Sequence, residues 1–138
     1  MNILVVGAGA VGGYFGGRLA AAGERVTFLC RGKTRAAIET AGLRIESVDG
    51  NAHVRPACVE SPAGFSAADL VLWAVKTYHN EQVIPIVRPF AGARTNILSL
   101  QNGVDAVDEL RAAFGADRVI GGFAMPDTIF VDARVMIV

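Results

Sequence analysis

Three glycines near the start of the chain, Gly7, Gly9 and Gly12, stand in the spacing Gly-x-Gly-x-x-Gly, with Ala8, Ala10 and Val11 between them. That spacing suits a backbone anion site for the pyrophosphate of a dinucleotide. Gly7 allows the tight turn, Gly9 lets main chain approach the phosphates, and Gly12 lets a following helix pack closely on the preceding strand. Three further residues could add side-chain chemistry. Arg31 stands where a chain that selects NAD carries Asp or Glu for the ribose 2′-hydroxyl. A guanidinium there binds a 2′-phosphate in fork geometry and stacks on adenine, which points to NADP (NADPH) as cofactor. Lys76 offers donors to ribose hydroxyls or a substrate oxygen. Asn102, beside Gly103, offers an amide donor and acceptor where backbone can approach closely, although Asn-Gly is also an ordinary turn.

These residues need strand ends to hold them, and the sequence supplies them. The apolar run Asn2–Val6 leads into the glycine loop, a helix from Ala10 to about Ala22 follows, and Arg25–Cys30 is a second apolar run. That is a complete βαβ unit. Val11, Phe15 and Leu19, at i, i+4 and i+8, give that helix an apolar face for the sheet, and its N-terminal amides and dipole point at the phosphates. A short helix over Thr34–Ala41 is stopped by Gly42. The segments 43–48 and 53–59, joined through Asp49-Gly50, predict a β-hairpin. Asp69–Val75 is continuously apolar after its first residue, the mark of a parallel strand buried on both faces, and Lys76 ends it. Asn80 is placed to cap a helix running to Val87, with Pro85 inside it. Thr95–Leu100 predicts a strand, Val104–Phe114 a helix, and Val119–Ala124 and Val135–Val138 two more strands.

Strands alternating with helices define an α/β class: a doubly wound, Rossmann-like, mostly parallel sheet with helices on both faces. Ligands in such sheets sit beyond the carboxyl ends of the strands. The glycine loop, Arg31, Lys76 and Asn102 all occupy such ends.

Composition excludes several other classes. The 138 residues are 52% hydrophobic, enough for one domain with a real core, yet no apolar run reaches the ~18 residues that span a bilayer. No membrane is expected as a partner. Thirteen basic and thirteen acidic residues cancel without a basic block, so nucleic acid is not expected either. The first residues form a strand rather than a signal peptide, which predicts a cytoplasmic protein. Cys30 and Cys58 are expected as free, small hydrophobes, neither a Cys-x-x-Cys redox pair nor part of a metal cluster. His53 and His79 are read as solvated surface histidines, and Trp73 as core. No metal site is indicated.

Taken together, Gly7-Ala-Gly-Ala-Val-Gly-Gly-Tyr-Phe-Gly, Cys30-Arg31-Gly32, Ala74-Val75-Lys76-Thr77 and Ser99-Leu100-Gln101-Asn102-Gly103-Val104 resemble the ketopantoate reductase (2-dehydropantoate 2-reductase) family over essentially the whole chain. The resemblance implies NADPH-dependent reduction of 2-dehydropantoate, a small 2-keto acid, to pantoate in pantothenate and coenzyme A synthesis. It implies that Lys76 and Asn102 line the nicotinamide and substrate cleft, and that Arg31 holds the 2′-phosphate. In the family a second, helical domain supplies the general-acid Lys and a Glu that orients substrate. On that reading residues 1–138 are the cofactor-binding domain, ending near the interdomain boundary, with no catalytic acid of their own and no turnover expected alone. A homodimer is a possible assembly. Two alternatives share the nucleotide-binding unit. β-Hydroxyacid and 6-phosphogluconate dehydrogenases carry Asn-Arg-x where this chain has Cys30-Arg31-Gly32, and a dinucleotide-sensing module would bind without chemistry.

Overall fold

In the computed structural model the described residues are 1–122, 124, 129–132 and 135–137. The chain runs β1 (Asn2–Val6), α1 (Ala10–Ala21), β2 (Arg25–Leu29), α2 (Gly32–Ala41), β3 (Leu43–Glu46), β4 (Ala52–Val54), β5 (Ala57–Val59) and β6 (Ala68–Trp73). It continues through α3 (Asn80–Val87), β7 (Ala91–Ser99), α4 (Val104–Phe114), β8 (Val119–Gly121), β9 (Ile129–Asp132) and β10 (Val135–Ile137). Six parallel strands form one sheet in the order β5-β2-β1-β6-β7-β8, and a second sheet has the order β4-β3-β10-β9. The doubly wound, Rossmann-like expectation holds for the first sheet. The second sheet joins the expected β3–β4 hairpin and the strand expected near Val135 to β9, a grouping that the sequence did not announce.

Burial explains the order. Ile3, Leu4, Val5 and Val6 of β1 are at most 1% exposed, so the central strand is covered on both faces. One cluster gathers Leu4, Val6, Val71, Trp73, Phe90, Ile97 and Leu110 on one side of the sheet. The other gathers Ile3, Val5, Val26, Phe28, Leu43 and Ile45. Trp73 is wholly buried and meets Phe114 edge-on, as expected of a core residue.

Three local expectations are corrected. The residues of α1 that are fully buried are Gly12, Gly13, Gly16 and Gly17, whereas Val11, Phe15 and Leu19 are only partly buried, Phe15 and Leu19 still packing against the core. The helix is pressed between the two sheets. A Cβ on Gly16 would lie 2.7 Å from Phe28 Cζ, and one on Gly17 would lie 2.7 Å from Ile45 Cδ1. A hydrophobic stripe would not fit that gap.

The hairpin is shorter than expected. β3 and β4 pair antiparallel across the Asp49-Gly50 turn, but Ala57–Val59 leaves them and pairs in parallel with β2, adding an edge strand to the main sheet. Pro56 separates the two, and the residue before a proline is driven to extended backbone, so the chain can pass from one sheet to the other. The strand expected over 119–124 closes after Gly121, and Phe123 and Val138 lie outside the described residues. Among the described residues no helix is long and apolar enough to cross a membrane.

Candidate functional site

The carboxyl ends of β1, β6 and β7 finish on one level. Past the strands the ladder continues, with Ala74 N–H donating to Val6 O (2.8 Å) and Leu100 N–H to Trp73 O (2.9 Å). The loops carrying Gly7, Lys76 and Asn102 are therefore neighbours.

Each glycine of the first loop has a distinct surrounding. Gly7 adopts φ +102°, and a Cβ on it would lie 2.9 Å from Ala74 C and Val75 N. Only glycine fits there without strain. A Cβ on Gly12 would lie 1.9 Å from Gly7 O, so helix and loop touch backbone to backbone. Gly9 is different. A Cβ built there meets nothing within 4 Å, and its backbone is ordinary extended, φ −81° and ψ −163°. No protein atom requires glycine at position 9.

Gly9 is also the N-cap of α1. It supplies no side-chain cap, there is no acid in the first turn, and its carbonyl accepts from Gly13 N–H at 2.8 Å. The first amides of the helix have no partner within it, and the positive end of its dipole faces the open space beside Gly9.

Two pockets meet at the loop and share Gly7 and Val75. The first has apolar walls from Val6, Leu29, Val83 and Ile86, with Cys30, Arg31 and Glu60 at its side. The second is lined by Gly9, Ala10, Val11, Lys76, His79 and Asn102, together with Ala74, Thr77, Tyr78, Leu100 and Gln101. The structure thus brings Gly7, Gly9, Ala10, Val11, Arg31, Lys76 and Asn102 to one cleft. Ala8 and Gly12 line neither pocket: Ala8 packs on the core and Gly12 holds the loop to the helix.

Arg31 is the N-cap residue of α2, exposed, and that helix also has no acid in its first turn. Among the described residues neither Arg31 nor Lys76 enters an ion pair. Arg35, four residues on, does not add to the field at Arg31, because its guanidinium is held by Glu39 at 2.8 Å and Glu60 at 3.5 Å. Its charge is spent locally.

Sequence reasoning discounted His79 and did not single out Tyr78, yet both line the second pocket, their rings edge-on with centroids 4.4 Å apart. His53 lies elsewhere, its Nε2 2.7 Å from Ala41 O. Cys30 and Cys58 are free, as expected, and half-buried. The Cys30 thiol donates to Cys58, and that bond with partial burial holds Cys30 well above the usual thiol range, while accepting it lowers Cys58. Among the described residues no cluster could hold a metal ion.

Asn80 does not cap α3. Its side chain turns inward, 1% exposed, where Trp73 Nε1 donates to its Oδ1 at 2.9 Å. Gln101 Nε2 donates to the same oxygen at 2.7 Å and to Val75 O at 2.7 Å. A lone Asn before a helix carries no sign of such a core role.

An all-parallel sheet with a glycine loop at its central strand and an anion-ready helix behind it is a Rossmann-type domain. The family model described as "Ketopantoate reductase PanE/ApbA" matches residues 3–134. The chain belongs to the ketopantoate reductase family. It is 42% identical over 122 residues to an oxidoreductase of Bacillus subtilis named YkpB, covering 88% of this chain and 40% of that one. It is 32% identical over 136 residues to the 2-dehydropantoate 2-reductase of Pyrococcus horikoshii, covering 99% of this chain and 44% of the relative. Among solved structures, the 2-dehydropantoate 2-reductase of Geobacter metallireducens superposes with a TM-score of 0.91 at 35% identity, covering 99% of this chain and 46% of that one. The chain thus spans less than half the length of these relatives.

Proposed function

We propose that this chain is the cofactor-binding part of an NADPH-dependent enzyme that reduces 2-dehydropantoate, a small 2-keto acid, to pantoate. The observation that carries the reading is the empty space at Gly9. Glycine there serves no packing or backbone need, and a cradle that a Cβ would fill stands at a helix N-terminus whose amides lack partners. A pyrophosphate fits both features. The apolar walls from Val6, Leu29, Val83 and Ile86 suit an adenine, and Arg31 with the N-terminus of α2 suits a 2′-phosphate. Lys76 and Asn102 take the nicotinamide and substrate end, where the ammonium and amide can donate to a ribose hydroxyl or a keto oxygen.

When bound, NADPH supplies a hydride to the keto carbon, and the oxygen then needs a proton. The family's second domain is the proposed source of that acid. Residues of this chain hold the cofactor in register and, through Lys76, stabilise negative charge on the oxygen. The walls of the second pocket exclude water from one side of the reacting atoms.

Titration of the chain with NADPH and NADH tests the assignment. NADPH is expected to bind more tightly, and Arg31→Ala to weaken NADPH by about tenfold while leaving NADH nearly unchanged, the value of a charged contact to phosphate at an exposed site. Equal affinity of the unmutated chain for the two cofactors would refute the role of Arg31.

A further inference from the structure

Two buried side-chain amides back the second pocket, Gln101 in its wall and Asn80 behind Gln101. Gln101 is 5% exposed and Asn80 1%. Their orientations are fixed by groups that can play only one role: the indole N–H of Trp73 can only donate, so Asn80 presents Oδ1 to it, and Val75 O can only accept, so Gln101 presents Nε2. Asn80 Nδ2 in turn donates to Glu109 Oε2 at 2.8 Å and lies 3.4 Å from Gln101 Oε1. The network joins the end of β6, the start of α3, the loop after β7 and α4.

Lys76 is the residue after Val75, and Asn102 the residue after Gln101. The bond from Gln101 to Val75 therefore spans the two loops that carry the proposed nicotinamide-end donors. We propose that Asn80 and Gln101 are positioning residues, fixing the separation of Lys76 and Asn102 across that end of the cleft. Gln101 makes the link and Asn80 holds Gln101 in the rotamer that makes it. This deepens, and rests on, the reading that NADPH binds with its nicotinamide beside Lys76 and Asn102. A satisfied buried network suits the role, since breaking one member leaves others unpaired in low dielectric and the loops free to separate. Of the walls of the adenosine pocket, only Val75 belongs to the network, through its carbonyl, whereas the side chains of Leu29, Val83 and Ile86 take no part in it.

The test compares NADPH with adenosine 2′,5′-bisphosphate, which keeps the adenosine end and lacks the nicotinamide. Gln101→Met, a substitution of similar length, is expected to weaken NADPH about tenfold and the bisphosphate by less than about twofold. Asn80→Leu is expected to act in the same sense, and the double variant to be no worse than Gln101→Met, because Asn80 works through Gln101. Should Asn80→Leu fail to fold, Gln101→Met decides alone. Equal weakening of both ligands, or none of NADPH, would overturn the positioning role and leave the cofactor assignment standing. Failure of the unmutated chain to bind either ligand would remove that assignment, and this proposal with it.

Discussion

Gly9→Val is expected to abolish NADPH binding while the domain stays folded. The position has φ −81° and ψ −163°, a region that β-branched residues adopt readily, and a Cβ there meets no protein atom within 4 Å. Its branches project into the space proposed for the pyrophosphate, between the amides of α1 and the ligand. Losing two or more charged hydrogen bonds costs at least ~3 kcal/mol, roughly two orders of magnitude in affinity. Calorimetric titration reads the loss and circular dichroism with a urea melt reads the fold. Retained affinity would show that the open space belongs to no phosphate.

Three residues further on, the opposite result is expected. Alanine favours helix interiors over glycine by about 1 kcal/mol, so Gly12→Ala would ordinarily stabilise α1. Here its Cβ would sit 1.9 Å from Gly7 O and 3.1 Å from Ala74 Cβ. Neither side can yield cheaply, because one is backbone held in a turn at φ +102° and the other lies at the end of the central ladder. Relief requires moving helix from sheet, at a cost of about 3 kcal/mol or more against the native packing. The urea midpoint should fall markedly for Gly12→Ala and hardly at all for Gly9→Val. A midpoint equal to that of the unmutated chain would mean that α1 does not touch the loop as closely as the structure has it.

The two glycines illustrate which parts of the molecule are legible in its sequence. The βαβ unit is readable because its signals are local: a buried run at Asn2–Val6, a spaced glycine turn and a second run at Arg25–Leu29. The strand ends carrying Arg31, Lys76 and Asn102 are readable for the same reason. The contact face of α1 is not, because Gly16 and Gly17 carry no hydrophobicity, and what demands them is the nearness of Phe28 and Ile45 from two different sheets. β5 is only three residues long and has no period of its own, so its departure from the hairpin is decided by pairing with β2. Asn80 has the sequence context of a helix cap and the structural role of a core amide, and partners such as Gln101 and Glu109 are far off in sequence. Of the two partners of Arg35, Glu39 is one helical turn away and legible in the sequence, whereas Glu60 approaches only through the fold.

The four-stranded sheet carries a consequence for how the chain is made. β3 sits between β4, its hairpin neighbour, and β10, where Arg44 pairs with Val135. The six-stranded sheet has all its strands once Gly121 has emerged, whereas β3 must wait for the far end of this stretch to be synthesised. Contacts so distant along the chain are slow to form, and an unpaired strand edge invites foreign partners in the meantime. During vectorial synthesis the nucleotide-binding core can therefore consolidate first, while the β3 edge stands open until the last strand arrives to close it.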